Sequence, residues 1–232
     1  MKKVGIIGGL GPQTTIDYYT SIIAKYQEKV GIKDDLPELV INSINMYDIY
    51  RWLANNEIEE LTTYITNAVR ALEKSGADFV VIAGNTPHIV FKEIQRNIAI
   101  PMISIVEETY QAAQRLHLKK VGFLGTQFTM ENDFFKKPFI DNNIQIIIPN
   151  ASERVYIHQK ITDELFKNII NLETHKRFSD IIYQMVKEES VEGIILGCTE
   201  LPLLFKNQPL GIPLLNPAEI HIEKIVDTLF QI

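Results

Sequence analysis

The sequence predicts an α/β protein of two pseudo-symmetric halves with parallel sheets, and two observations support this. Short apolar runs alternate with helical patterns along the whole 232-residue chain, an order typical of parallel sheets. Three motifs also occur twice, in the same order and at nearly the same spacing. Because duplicated α/β halves bind ligands where their strands end, we expect the active site in the cleft between the halves.

The repeated motifs make the two halves directly comparable. Each half begins with Lys-Lys-Val-Gly, continues to an apolar run with a polar end, and then has an Ile-Pro pair. The three pairs lie at residues 2–9 and 119–126, 79–86 and 193–200, and 100–107 and 212–219. Gly84 and Cys198 occupy corresponding positions, so only the second half carries a thiol there.

In the first half, continuous apolar runs predict buried strands, and apolar residues at helical spacing predict helices. A glycine-rich turn at 8–12 leads into a helix, with Pro12 suited to its first turn. Residues 4–7, 38–44 and 79–82 are predicted strands, and 58–72 and 87–95 are predicted helices.

The alternation continues through the second half without a linker or low-complexity stretch. The predicted strands are 102–105, 121–124, 144–148, 193–196 and 213–215, and the predicted helices are 107–116, 131–140, 157–170, 177–188 and 218–230. The terminal helix is expected to return to the first half. We therefore place residues 1–100 and 210–232 in the N-terminal half and 101–209 in the C-terminal half.

Composition and charge exclude several classes of protein. The net charge is −6 without a dense basic stretch, which argues against nucleic acid and membrane partners. One cysteine forms no internal disulfide, and no signal-peptide pattern is present, so a cytoplasmic location is expected. The five histidines are scattered along the sequence, so their spacing does not predict a metal site. The sequence lacks the Gly-x-Ser-x-Gly motif of serine hydrolases, which argues against that class.

Cys198 is the first candidate for chemistry. It follows an apolar strand and precedes a predicted helix, and a helix N-terminus lowers a thiol pKa. The alternative is an inert buried cysteine. In the first half, Asn85 and Thr86 have the same context and can donate hydrogen bonds to a carboxylate, or simply cap a helix.

Further candidates flank the same strand ends. The turn containing Gly9 and Leu10 lets the backbone approach a small anion. Thr126 and Thr129 occupy the matching turn of the second half, as donors or as helix caps.

Together these motifs resemble the aspartate/glutamate racemases, which racemise amino acids without a cofactor. The resemblance rests on Gly8-Gly9-Leu10-Gly11-Pro12, Asn85-Thr86, Leu124-Gly125-Thr126 and Gly197-Cys198-Thr199-Glu200. It implies two thiols on opposite faces of an aspartate or glutamate substrate, with Asn85, Thr86, Thr126, Thr199 and Glu200 around it. It also implies a homodimer, no cofactor and no metal. Arg51 and either Lys160 or Lys167 are the candidates for binding the side-chain carboxylate.

The sequence departs from the family pattern at Gly84, where the family has its first thiol, and at Asn216, where many members have aspartate. Three functions therefore stay open. The first is a racemase in which Cys198 serves one face and Thr86, or a water at Gly84, serves the other. The second is a one-base decarboxylase or isomerase that relies on Cys198. The third is a catalytically impaired protein that binds small dicarboxylates or amino acids.

Overall fold

The computed structural model describes residues 1–205 and 210–231, and the chain divides into two compact units. The first comprises Met1–Glu108 and Ala218–Ile232, and the second comprises Thr109–Pro217. Each unit contains one four-stranded, fully parallel sheet with helices, which confirms the predicted α/β class.

The first unit contains a sheet in the order β2-β1-β3-β4. Its elements are β1 (Val4–Gly8), α1 (Pro12–Val30), β2 (Leu39–Ser43), α2 (Met46–Ala54), α3 (Ile58–Lys74), β3 (Phe79–Ile82), a 3-10 helix (Thr86–Val90), α4 (Phe91–Arg96), β4 (Met102–Ile103) and the beginning of α5 (Ile105–Arg115). Among the described residues, two buried clusters contribute to the core of this unit. Leu61, Ile65 and Val69 of α3 belong to one, and Tyr18 and Ile22 of α1 to the other.

The second unit repeats this arrangement with a sheet in the order β6-β5-β7-β8. Its elements are β5 (Lys120–Leu124), α6 (Gln127–Glu131), α7 (Asp133–Ile140), β6 (Gln145–Ile147), α8 (Ala151–Asp163), a 3-10 helix (Leu165–Lys167), α9 (Leu172–Glu189), β7 (Gly193–Leu196), α10 (Leu201–Phe205) and β8 (Leu214–Leu215). Leu196 and Cys198 belong to its main core cluster, so the strand that precedes the thiol is firmly packed.

The terminal helix α11 (Pro217–Leu229) packs in the first unit, where Ile222, Ile225 and Leu229 join the core with β1. The boundaries between the units differ from the expected ones. Residues 101–108 lie in the first unit because β4 pairs with β3, and the described part of 210–217 lies in the second because β8 pairs with β7.

Most predicted elements are present, and the differences lie in the helices. The helix predicted at 131–140 is α7, which begins at Asp133 because Asn132 is extended and separates it from α6. The helix predicted at 157–170 begins earlier, at Ala151, and is followed by a 3-10 helix after Asp163. Helix α2 was not predicted. Within residues 1–205 and 210–231, no helix combines the length and apolar character that a membrane span requires.

Candidate functional site

In the first unit, a small pocket opens where β1, β2 and β3 end. Three predicted site residues line it together with Gly84, so the structure brings this part of the predicted site together. The lining residues are Leu10, Met46, Ile49, Tyr50, Gly84, Asn85, Thr86 and Pro87. None of these described lining residues carries a charged side chain.

The glycine-rich turn forms one wall of the pocket. Gly9 has a φ of 77°, and its N–H donates to the Thr15 hydroxyl at 2.9 Å. A Cβ at Gly9 would lie 2.1 Å from the Ile44 carbonyl oxygen, so a larger residue would push this turn away from the loop after β2. The close approach of two backbones therefore explains why glycine stands here.

Gly84 leaves open the space that a side chain would fill beside Leu10. A Cβ at Gly84 would lie 3.2 Å from the Leu10 Cβ and 3.5 Å from its Cδ1. Gly84 is not among the residues with positive φ, so its backbone accepts a side chain without strain. The absence of a thiol at this position is thus a feature of the sequence that the backbone does not require.

His88 holds the turn that contains Gly84 and Asn85. Its Nδ1 lies 2.8 Å from the Gly84 carbonyl oxygen, and its Nε2 accepts from the Ile105 N–H at 3.3 Å. Because a carbonyl only accepts, Nδ1 carries the proton and the ring is neutral. Burial lowers the pKa of His88 to about 4, which keeps the ring neutral at physiological pH. His88 is therefore a structural support of the site.

A second buried histidine supports the same sheet. His221 Nε2 donates to the Ile103 carbonyl at 3.1 Å, so its Nδ1 accepts from the Tyr18 hydroxyl at 2.9 Å. Burial and the neighbouring His88 lower the pKa of His221 to about 3. The neutral ring thus ties α11 to β4 and α1.

In the second unit, Cys198 lies directly after β7 and is 6% exposed. Its thiol donates to Glu200 Oε2 at 2.9 Å, and the Thr199 hydroxyl donates to the same oxygen at 2.9 Å. Gly197 precedes the thiol because a Cβ there would lie 2.2 Å from the Phe123 ring. These contacts fix the thiol beside a carboxylate that can accept its proton.

The expectation of a lowered thiol pKa is wrong. Burial, the negative charge of Glu200 and the hydrogen bond to it raise the pKa of Cys198 well above its ordinary value, although the backbone N–H groups of Thr199 and Glu200 act in the opposite direction. Helix α10 has only five residues and begins at Leu201, so its dipole is short. The resting group is therefore the neutral thiol.

Thr126 and Thr129 lie at the end of the neighbouring strand. The Leu124 carbonyl accepts from the Gly197 N–H at 2.6 Å, which brings the turn after β5 beside the Cys198 turn. Thr126 caps α6 by accepting from the Thr129 N–H at 3.3 Å, and the two hydroxyls lie 2.9 Å apart. The capping role is present, and the Thr126 hydroxyl keeps a capacity to bind a further group.

The predicted cations have local partners or lie exposed. Arg51 pairs with Asp48 at 2.8 Å, lies over the Trp52 ring and is 60% exposed. Lys160 pairs with Glu164, and Lys167 is exposed at the end of a 3-10 helix. None of the three lines the described pocket.

Sequence reasoning missed Met46, Ile49 and Tyr50, the part of α2 that lines the pocket. Their spacing of three and four residues was a usable signal for a helix face directly after β2. Among the described residues, no group of three or more histidine, cysteine, aspartate or glutamate side chains is arranged to hold a metal ion.

Comparison with known proteins identifies the class of protein. Residues 7–225 match the family described as Asp/Glu/Hydantoin racemase. The chain is 27% identical over 231 residues to the broad specificity amino-acid racemase RacX of Bacillus subtilis, covering 97% of each chain. The chain belongs to the Asp/Glu/hydantoin racemase family, as its motifs predicted.

Two solved structures are similar over their whole length. An aspartate racemase homologue from Pyrococcus horikoshii shares 34% identity, with a TM-score of 0.88 and full coverage of both chains. A Yersinia pestis protein provisionally assigned as an Asp/Glu racemase shares 28% identity, with a TM-score of 0.93 and full coverage of both chains.

Proposed function

We propose that this family member racemises an amino acid by moving its α-proton through the Cys198 thiol, without a cofactor. The observation that carries the proposal is the 2.9 Å hydrogen bond from the thiol to Glu200 Oε2, in a thiol that is buried after β7. A buried neutral thiol acts as a base only after it loses its proton, and Glu200 is positioned to accept that proton.

The proton transfer balances as follows. The thiol proton passes to Glu200 Oε2, the thiolate takes the α-proton, and the electron pair of the C–H bond moves into the substrate carboxylate. Thr126 and Asn85 are proposed to donate to that carboxylate, since a preorganised set of donors stabilises the developing charge. Thr199 is proposed to act beside them by donating its hydroxyl to Glu200 Oε2 and so holding that carboxylate next to the thiol. Glu200 returns its proton to the thiolate when the reaction reverses. When the α-carbon is protonated from its other face, Cys198 keeps the α-proton, and the proton on Glu200 passes through solvent to the oxyanion left on the second-face donor.

The opposite face of the α-carbon needs a second proton donor. We propose that Thr86, or a water in the pocket beside Gly84, supplies it. Thr86 lines the described pocket next to Gly84, which supports it as the donor. Because a hydroxyl is a weaker acid than a thiol, inversion should be slower than α-proton removal.

The absence of a side chain at Gly84 favours one alternative, a one-base decarboxylase or isomerase in which Cys198 protonates a single face. A protein that binds amino acids or dicarboxylates without turnover is the third candidate. The stereochemistry of the product separates the first two, and the lack of any α-proton exchange identifies the third.

The test follows α-proton loss by NMR in deuterium oxide. The dialysed, chelator-treated protein should exchange the α-proton of a substrate amino acid, and added pyridoxal phosphate should not change the rate. Cys198→Ala should abolish exchange, and the near-isosteric Cys198→Ser should lower it by roughly 10²-fold or more. Undiminished exchange by Cys198→Ala would contradict the proposal.

We also propose a cytoplasmic homodimer. The dimer rests on likeness to the family, and the location rests on the single unpaired cysteine. A monomer in sedimentation at micromolar concentration would contradict the dimer.

A further inference from the structure

The pocket beside Gly84 is lined by uncharged side chains among the described residues. Leu10, Met46, Ile49 and Pro87 give it apolar walls. Asn85, Thr86 and Tyr50 are its polar side chains, and none of them carries a charge at neutral pH.

The geometry of α2 directs the Arg51 side chain away from this pocket. Met46, Ile49 and Tyr50 are spaced as one helix face, and they line the pocket. Arg51 lies off that face, where its guanidinium pairs with Asp48 at 2.8 Å and covers the Trp52 ring at 5.5 Å. Its partners therefore lie outside the pocket.

This lining discriminates between side chains by charge. A carboxylate that enters an apolar pocket loses its hydration and needs a cation or several donors in return. A thioether or a hydrocarbon chain gains from the same burial, and an amide can use the few polar groups. Because Gly84 has no Cβ, no side chain of its own enters the space beside Leu10.

We propose that this pocket receives the side chain of the substrate, and that amino acids with uncharged side chains are preferred over aspartate and glutamate. The proposal takes the amino-acid nature of the ligand from the proposed function and adds the class of side chain. Met46, Ile49 and Tyr50 then act as the residues that determine specificity.

Isosteric ligand pairs test the charge argument directly. Calorimetric dissociation constants for L-methionine, L-glutamine and L-glutamate should show binding of methionine and glutamine at least tenfold tighter than binding of glutamate. Met46→Lys places a cation in the half-buried lining of the pocket and should reduce that ratio at least tenfold. Tyr47→Lys adds the same charge at the neighbouring residue, which is 70% exposed, and should leave the ratio unchanged.

The outcomes separate this proposal from the proposed function. Tighter binding of glutamate by the wild type, or equal changes in Met46→Lys and Tyr47→Lys, would overturn the specificity proposal alone. Preferential binding of methionine without any α-proton exchange would overturn the racemase and leave the pocket assignment supported. Failure of all three amino acids to bind would overturn both.

Discussion

Gly84→Cys tests whether the missing side chain limits inversion. One thiol reaches one face of the α-carbon, so a proton that it returns there restores the starting enantiomer. The new Cβ would lie 3.2 Å from the Leu10 Cβ, which requires Leu10 to shift by a few tenths of an ångström. Gly84 has no positive φ, so the backbone adds no strain. A well-placed general acid is worth roughly 10²–10⁴-fold, and we expect an increase in inversion within that range.

The assay is chiral chromatography of the product formed from the amino acid that exchanges fastest. Gly84→Ala is the matched control, because it makes the same contact with Leu10 and brings no acidic group. The double variant Gly84→Cys/Cys198→Ala should lose inversion again, since each thiol serves one face.

Rapid inversion by the wild type that Gly84→Cys does not increase would refute this reasoning. It would mean that Thr86 or another group already serves the second face efficiently. An equal gain in Gly84→Ala would also refute it, because the effect would then come from packing against Leu10 instead of proton transfer.

Three further predictions concern the groups around the site. Alkylation of Cys198 by iodoacetamide should be slow at neutral pH, and its pH dependence should give an apparent thiol pKa above the ordinary value near 8.5. Glu200→Gln should lower that pKa, because it removes the neighbouring negative charge. A thiol that already titrates below 8.5 in the wild type would contradict the described contacts. The contribution of His88 to the free energy of unfolding should fall by roughly 2–3 kcal/mol as the pH is lowered from 7 to 4.5. In the unfolded chain the ring binds a proton near pH 6.5, whereas the buried ring of the folded protein has a pKa of about 4 and stays neutral over most of this range. Urea titrations should show a smaller pH dependence in His88→Gln, and equal slopes would contradict the neutral buried ring. In the same calorimetric experiment, Thr126→Val should weaken amino-acid binding more than Thr162→Val does. Thr162 is the control because it lies in α8 and its hydroxyl is exposed. Equal effects of the two substitutions would count against a binding role for Thr126.

The fold could be predicted because its signals are local. The apolar run that forms β7 is buried at all four positions, and its repeat in β3 identified two related sheets. Helix α2 was missed because it has only nine residues and begins soon after β2 ends at Ser43. The predicted domain boundaries differ from the observed ones because β4 and β8 have only two residues each. Their place is set by pairing with β3 and β7, which the local sequence does not reveal.

The site was only partly accessible from sequence. The order of the motifs placed Asn85, Thr86 and Cys198 after strands, as the structure has them. The direction of the thiol pKa could not be predicted, because it depends on how deeply Cys198 is buried and on where the Glu200 side chain points. The neutral character of the pocket depends on the rotation of α2, which places Arg51 beside Asp48.

The central claim is that Cys198 alone carries proton transfer on one face. The most direct measurement compares, in one deuterium oxide reaction, the rate of deuterium incorporation into the remaining starting enantiomer with the rate of its inversion. The account predicts that incorporation exceeds inversion at least tenfold in the wild type, and that both are lost in Cys198→Ala. Equal rates of incorporation and inversion, or incorporation that persists in Cys198→Ala, would contradict it.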